Sequence, residues 1–408
     1  MTAISDLSWD LVEKILSRVP IISIGAVRST CKRWNRLSKV RVLCKAEAKR
    51  HQFLRFMLKN YKLCSMRFHL HGILDGEEFV DPSIREITGD SLNHVKVTKV
   101  FHCDGLLLCV TKDKEENKTT LLVWNPYLGQ TRWIQPRNYY NRLDVYAFGY
   151  DSNNREHKIL RFFLDAFDVS LFEIYDICSD SWRVLDITPN WNLMFYYRGV
   201  SLKGNTYFFA KEKIVLEAGG PEEIAEPHAI LLSFDFTKER FGPPLPFPFK
   251  HYTEDTGTLS SLRDEKLAAL YQSSSMCDVE VWVTTKIEPN AVSWVPFLKI
   301  DLKPLTGFEF QFHHDGSSFF IDEEKKVAVI FQIDESEMTC YDTAYLIGEN
   351  GHFEKVGLGE SEYHQDSIPM EDYSPLVCSC SYVPSLVHIN NAFVKQTNEI
   401  ITSCNDSV

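Results

Sequence analysis

Three groups of residues have types and spacings that invite chemistry. His313, His314 and Asp315 are consecutive and offer a base beside a carboxylate. Neighbours on a strand point to opposite faces, so adjacency does not make a triad. His314-Asp315-Gly316 reads instead as a turn before the strand at Phe319. Cys378 and Cys380 share one face of the alternating stretch "LVCSCSYV", and His69 and His71 have the same spacing. A tetrahedral metal site needs two more ligands, and no close Cys or His pair supplies them. Gly219-Gly220-Pro221 lies among glutamates and lacks the Lys-Ser/Thr pair of a phosphate cradle. Paired carboxylates of the glycosidase kind leave no pattern here. No catalytic residue, metal or cofactor is expected, and the chain is not expected to be an enzyme.

Binding chemistry is better represented. Arg28, Lys32, Arg33, Arg36, Lys39, Arg41, Lys45, Lys49, Arg50 and Arg55 form a basic stripe that phosphates would welcome. Residues 1–67 hold fifteen Lys and Arg against four acidic residues, a net of +11. The whole chain is −12, so the remaining 341 residues carry −23 and would repel a nucleic-acid backbone. Nucleic acid is therefore a secondary alternative for the head alone. Trp133 and Trp191 could stack on sugars if exposed, which leaves a glycan- or protein-binding body as a further alternative.

The charge split separates a small basic head from a large acidic body. In the head, Leu7, Leu11, Ile15 and Leu16 follow a helix period, with Val12 and Val19 beside them. Ser8 is a cap, and Pro20 ends the helix because its ring clashes and its amide proton is missing. Ile24, Val27, Cys31, Trp34 and Leu37 form the next apolar stripe. Leu43, Ala46, Phe53, Leu54, Met57 and Leu58 suggest that helix continues to about residue 60.

From residue 95 the helix period gives way to short runs bounded by Gly, Asp, Asn and Pro. Trp124, Tyr175, Phe234 and Trp282 each sit near the end of such a run, at separations of 51, 59 and 48 residues. Asn125, Asp176 and Asp235 follow the first three as turn formers. A degenerate period near 50 residues fits four-stranded propeller blades, five to six of them. A twisted sandwich is the competing architecture. Val377–Val383 and Leu386–Ile389 are candidates for a closing strand, which would leave residues 1–90 outside the closure. Residues 212–226 read as a solvated loop, and Pro243–Pro248 as a rigid connection leaving a blade edge. The expected fold is a multidomain α+β chain, with a small all-α head and a large all-β, propeller-like body. The divisions are 1–45, a helical and linker region over 46–94, the body over 95–392, and a flexible tail over 393–408.

No apolar run approaches the roughly 18 residues of a membrane span. Asp6, Asp10 and Glu13 stand where a secretory leader would be basic and then apolar. The eleven cysteines lack a repeating spacing and read as reduced thiols. Cytoplasmic or nuclear residence is the expectation.

The head resembles an F-box. The resemblance rests on an "L-x-x-x-L-x-x-x-I-L-x-R-V-P" run from Leu7 to Pro20, followed by "V-R-x-x-C-K-R-W" from Val27 to Trp34. Ser8 departs from the proline usual there, and Ile24 and Gly25 depart mildly. The body resembles the type 1 F-box-associated domain of plant F-box proteins, through "FHCDGLLLC" at Phe101–Cys109, "LLVWNPYLGQTR" from residue 121, "AFGYD" at Ala147–Asp151 and "FEIYDICSDSWRV" at Phe172–Val184. "YVPSLVHI" at Tyr382–Ile389 resembles that family's terminal strand. The resemblance implies a substrate receptor of an SCF-type ubiquitin ligase. Leu7, Leu11, Ile15, Leu16, Val19, Pro20, Val27, Cys31, Lys32 and Trp34 would then meet the acidic adaptor, and through it the cullin. The body would hold an unnamed target protein by residues the sequence does not single out.

Overall fold

Strand ends are set by side chains that turn the backbone. Asn125 Oδ1 accepts the Leu128 amide at 2.9 Å. Asp176 Oδ1 accepts the Cys178 and Ser179 amides at 2.8 and 3.0 Å. Asp235 Oδ1 does the same for Thr237 and Lys238, at 2.9 and 3.0 Å. Each contact satisfies amides that the strand ladder has just released, and so favours reversal over continued extension.

The computed structural model describes Leu11, Val12, Ile15, Val27, Thr30, Lys32 and Trp34 of the first 54 residues, most of 55–361 outside several loops, and residues 385–389. Six antiparallel sheets form the body. Blade 1 is β1 (Arg55–Lys59), β2 (Lys62–Arg67) and β3 (Ser83–Glu86). Blade 2 is β4 (Val95–Cys103), β5 (Leu106–Asp113), β6 (Thr119–Asn125) and β7 (Gln130–Ile134). Blade 3 is β8 (Val145–Tyr150), β9 (His157–Asp165), β10 (Asp168–Asp176) and β11 (Ser181–Leu185). Blade 4 has interrupted edges: β12 (Trp191–Asn192) and β13 (Val200–Leu202) flank β14 (Asn205–Glu212), while β16 (Arg240–Phe241) and β17 (Leu245–Pro246) flank β15 (Ala229–Asp235). Blade 5 is β18 (Thr256–Leu262), β19 (Lys266–Gln272), β20 (Asp278–Glu288) and β21 (Ala291–Asp301). Blade 6 is β22 (Ser318–Asp322), β23 (Val327–Glu335), β24 (Cys340–Gly348) and β25 (His352–Ser361).

Each blade shares a buried cluster with the next. Phe56 and Leu107 join blades 1 and 2, and Leu108 and Phe148 join 2 and 3. Phe172 and Phe208 join 3 and 4, Phe209 and Leu267 join 4 and 5, and Leu270 and Ile330 join 5 and 6. Met57 and Phe331 return from blade 6 to blade 1. The ring is a six-bladed propeller, and the sandwich alternative is excluded. Trp124, Tyr175, Phe234 and Trp282 lie on the third strands of blades 2 to 5, so their spacing is the step from blade to blade. Tyr175 and Phe234 are core residues, as their place on packed strands requires.

Four expectations need correction. Helix does not continue through Met57 and Leu58; β1 runs there and pairs with β2. Phe56 and Leu58 face blade 2 while Met57 faces blade 6, so the strand is apolar on both faces and shows no polar alternation. Propeller strands consequently begin well before residue 95, and blade 1 belongs to the ring. The proline run is not a connection between blades: Leu245–Pro246 pairs with Ile230–Leu231 as the outer edge of blade 4. A proline is tolerated there because no further strand needs its missing amide proton. The terminal residues 385–389 join no strand ladder; side chains of blade 2 hold them. Val377–Val383 and residues 214–227 lie outside the described residues.

Antiparallel alternation sorts the connections of blades 2 to 6 into two faces. First-to-second and third-to-fourth turns share one face. Its tight reversals use positive φ at Asp104, Gly105, Gly129, Asp180, Lys203, Gly204, Glu239 and Gly351. Second-to-third and blade-to-blade connections leave from the other face, where the strand ends that bracket the long spans 135–144, 213–228 and 302–317 lie.

Candidate functional site

In the head, Leu11, Val12, Ile15, Val27, Thr30, Lys32 and Trp34 are helical. Thr30 donates its hydroxyl to the Val27 carbonyl at 2.7 Å, one turn back. Residues four apart share a helix face, whereas the next residue is rotated by about 100°. That rotation divides the first helix. Val12 is 0% exposed and belongs to the cluster that contains Phe56, Leu58 and Tyr127 of the propeller. Leu11 and Ile15 are 50% and 43% exposed. Lys32 is exposed, while Val27 and Trp34 are half-buried and pack against the Val12 cluster. Leu7, Leu16, Val19, Pro20 and Cys31 lie outside the described residues. The structure thus separates two of the expected contact residues, Leu11 and Ile15, from two that support the junction with the body, Val27 and Trp34. Arg55 leaves the expected basic stripe: it lies on β1, with its guanidinium 3.5 Å from the Phe320 ring centroid.

In the body, two carboxylates do converge, those of Asp144 and Glu173. Both are fully buried on Arg161, with Asp144 Oδ2 at 2.6 Å from Nη2 and Glu173 Oε2 at 3.5 Å from Nη1. Burial raises the Glu173 pKa, partly offset by Arg161 and Arg137. Without solvent access the arrangement braces the sheet and is not a reaction centre. Arg161 interrupts the apolar run "ILRFFL", a signal that a buried counter-charge must exist. Lys158 plays a similar part between blades 3 and 4, with Glu239 Oε1 at 2.9 Å and the Phe236 carbonyl at 3.3 Å.

The two tryptophans considered for sugar stacking separate. Trp133 is 42% exposed on the outer strand of blade 2. Trp191 is 3% exposed and packs edge-on against Phe172 and at 4.6 Å from Phe241, so it is core. His313 donates its amide to Gln332, while His314 and Asp315 lie outside the described residues. Glu156, Asp176 and Cys178 come within 4.8 Å of one another, but Asp176 already serves its turn. Among the described residues no helix is long and apolar enough to cross a membrane.

The F-box domain family matches residues 4–45, and the F-box associated beta propeller domain family matches residues 54–389. The chain belongs to the plant F-box proteins with an F-box-associated propeller. Its relatives in Arabidopsis thaliana include the F-box protein At3g20030, 58% identical over 98% of this chain and 100% of that protein. The F-box/kelch-repeat protein At3g16740 is 48% identical over 95% of this chain and 100% of its own length. The propeller match begins at residue 54, in agreement with blade 1 rather than with a start at 95. As an F-box protein, the chain is the substrate-recognition subunit of an SCF-type ubiquitin ligase, and its partners are the SCF adaptor and, through it, the cullin.

Proposed function

We propose that Leu11 and Ile15 are the centre of the adaptor contact and that the long-connection face of the propeller takes the target. The observation that carries this reading is the division of the first helix: Val12 turns into the body while Leu11 and Ile15 stay exposed. Leu7, Leu16, Val19 and Pro20 extend the same contact along an all-α head over residues 1–45. Lys32 adds positive charge, which speeds encounter with an acidic partner more than it strengthens the bound state. Cys31 belongs to the same surface, whereas Val27 and Trp34 hold the head's second helix in place.

The target face follows from the turns. Tight reversals at positive φ leave little room for variation on their own face, while long connections present side chains without disturbing the ring. The receptor makes and breaks no bond in this scheme. It raises the effective concentration of the target beside the catalytic partners, in the cytoplasm or nucleus.

Affinity capture from native extract tests the division of labour. The full chain and a chain lacking residues 1–45 are compared. Adaptor and cullin should be retained by the first alone, and target proteins by both. Retention of the adaptor by the shortened chain would overturn the assignment.

A further inference from the structure

We propose that the segment Ser385–Ile389 is a positioning element that sets how the head sits on the propeller. The inference rests on the receptor reading above and adds a part that the reading does not need.

The observation is a single buried amide with all its contacts assigned. Asn125 is 0% exposed and closes the third strand of blade 2. Its Oδ1 accepts the Leu128 amide within the turn. Its Nδ2 donates to the carbonyls of Ser385 and Val387, at 3.0 and 2.8 Å, about 260 residues away in the chain. Gln130 repeats the pattern: its Oε1 accepts the Ile389 amide at 3.2 Å, and its Nε2 meets His388 Nδ1 at 3.0 Å. Arg132, two residues on and therefore on the same face of β7, donates to the Ile389 carbonyl at 3.4 Å and to the Ile177 carbonyl of blade 3 at 2.7 Å. Ile389 itself is 3% exposed in the cluster between blades 2 and 3.

The turn gripped by this strap also serves the head. Tyr127, 0% exposed, shares a cluster with Val12, and Leu128 and Trp124 pack against the same cluster as Val27 and Trp34. Strap and head therefore meet at one turn, Asn125–Gly129. A receptor's contribution to ubiquitin transfer is geometric, and a small rotation at this turn is multiplied by the length of the propeller before it reaches the target. Holding the turn from its far side is a way to keep that lever stiff.

Two changes isolate the strap. Asn125→Asp keeps the acceptor for Leu128 but places an oxygen against two carbonyls. A chain ending at residue 384 removes the strap outright. Hydrogen exchange is followed by mass spectrometry on the full chain and both variants, each bound to purified adaptor. Exchange in head peptides around Val12 and Val27 should rise about tenfold in both variants, with blades 4 to 6 unchanged and adaptor affinity within about twofold. Unchanged head exchange while residues 125–132 lose protection would overturn the proposal. A uniform rise across all six blades would make the segment a fold element alone, and would overturn it equally.

Discussion

Asp144 grips Arg161 twice, with Oδ2 2.6 Å from Nη2 and 3.0 Å from Nε, and neither side chain reaches solvent. Glu173 shares the same guanidinium. Arg161→Met should strip Asp144 of this cation and leave Glu173 with Arg137 at 3.8 Å, and destabilise the protein by about 3–5 kcal/mol. Adding Asp144→Leu and Glu173→Leu should recover much of that loss, because the desolvation penalty disappears with the charges. Urea unfolding of the single and triple variants measures both. A triple variant as unstable as the single would show that shape, rather than charge, governs the site.

Gly149 sits at a close approach of blades 3 and 4. A Cβ there would lie 2.2 Å from Phe236 Cδ2 and 2.3 Å from the Gly204 carbonyl oxygen. A ring can swing aside, but a backbone carbonyl on a tight turn cannot. Gly149→Ala should therefore cost about 1–3 kcal/mol by overpacking, read as a lower unfolding midpoint. An unchanged midpoint would mean the blades can separate freely.

The strands of the body were legible because turn residues bracket them; Asn125, Asp176 and Asp235 announce reversals that their side chains then perform. Blade 1 was not legible. Phe56, Met57 and Leu58 are buried on both faces of β1, and a short run that is apolar throughout carries no period to tell strand from helix. The same limit hid the strap, since Asn125 reads as a turn residue whether or not its amide reaches Ser385. In the head, apolar spacing put Leu11 on the repeating stripe with Val12 beside it, but carried nothing about which of them meets the propeller. Their opposite fates depend on the propeller surface that Val12 meets.

Two buried histidines should make stability fall in mild acid. Burial, with the charge of Arg155 nearby, lowers the His157 pKa to about 3. Burial, with Lys211 nearby, lowers that of His251 to about 4. Both folded values lie below the ordinary 6.5, so below that pH the unfolded chain takes up protons that the folded chain refuses. This contribution is intact above about pH 6.5 and is lost as pH falls towards those values, at up to about 1.4 kcal/mol per pH unit for each histidine. The urea midpoint should drop between pH 7 and pH 5, and His157→Gln should flatten the drop. An identical slope in the variant would contradict the assignment.

Thiol reactivity should follow burial. Burial pushes the Cys109 thiol up to about 12 and, with Glu86 nearby, that of Cys64 up to about 11. Cys178 is exposed on a turn. Alkylation of the native protein at pH 8 without reductant, followed by peptide mass mapping, should modify Cys178 and spare Cys64 and Cys109 until denaturant is added. Rapid modification of Cys109 in the native state would mean that blade 2 opens locally.

The exposed face of the first helix, Leu11 and Ile15, should hold the adaptor while Val12 beside it holds the propeller. Titration calorimetry with purified adaptor separates the two roles. Leu11→Ala with Ile15→Ala should cost about 2–4 kcal/mol in total affinity and abolish binding at micromolar concentration, with the circular dichroism spectrum unchanged. Lys32→Gln should mainly slow association and weaken its salt dependence. If the folded double-alanine variant binds the adaptor as tightly as the natural chain, the contact lies elsewhere and the assignment of Leu11 and Ile15 is wrong.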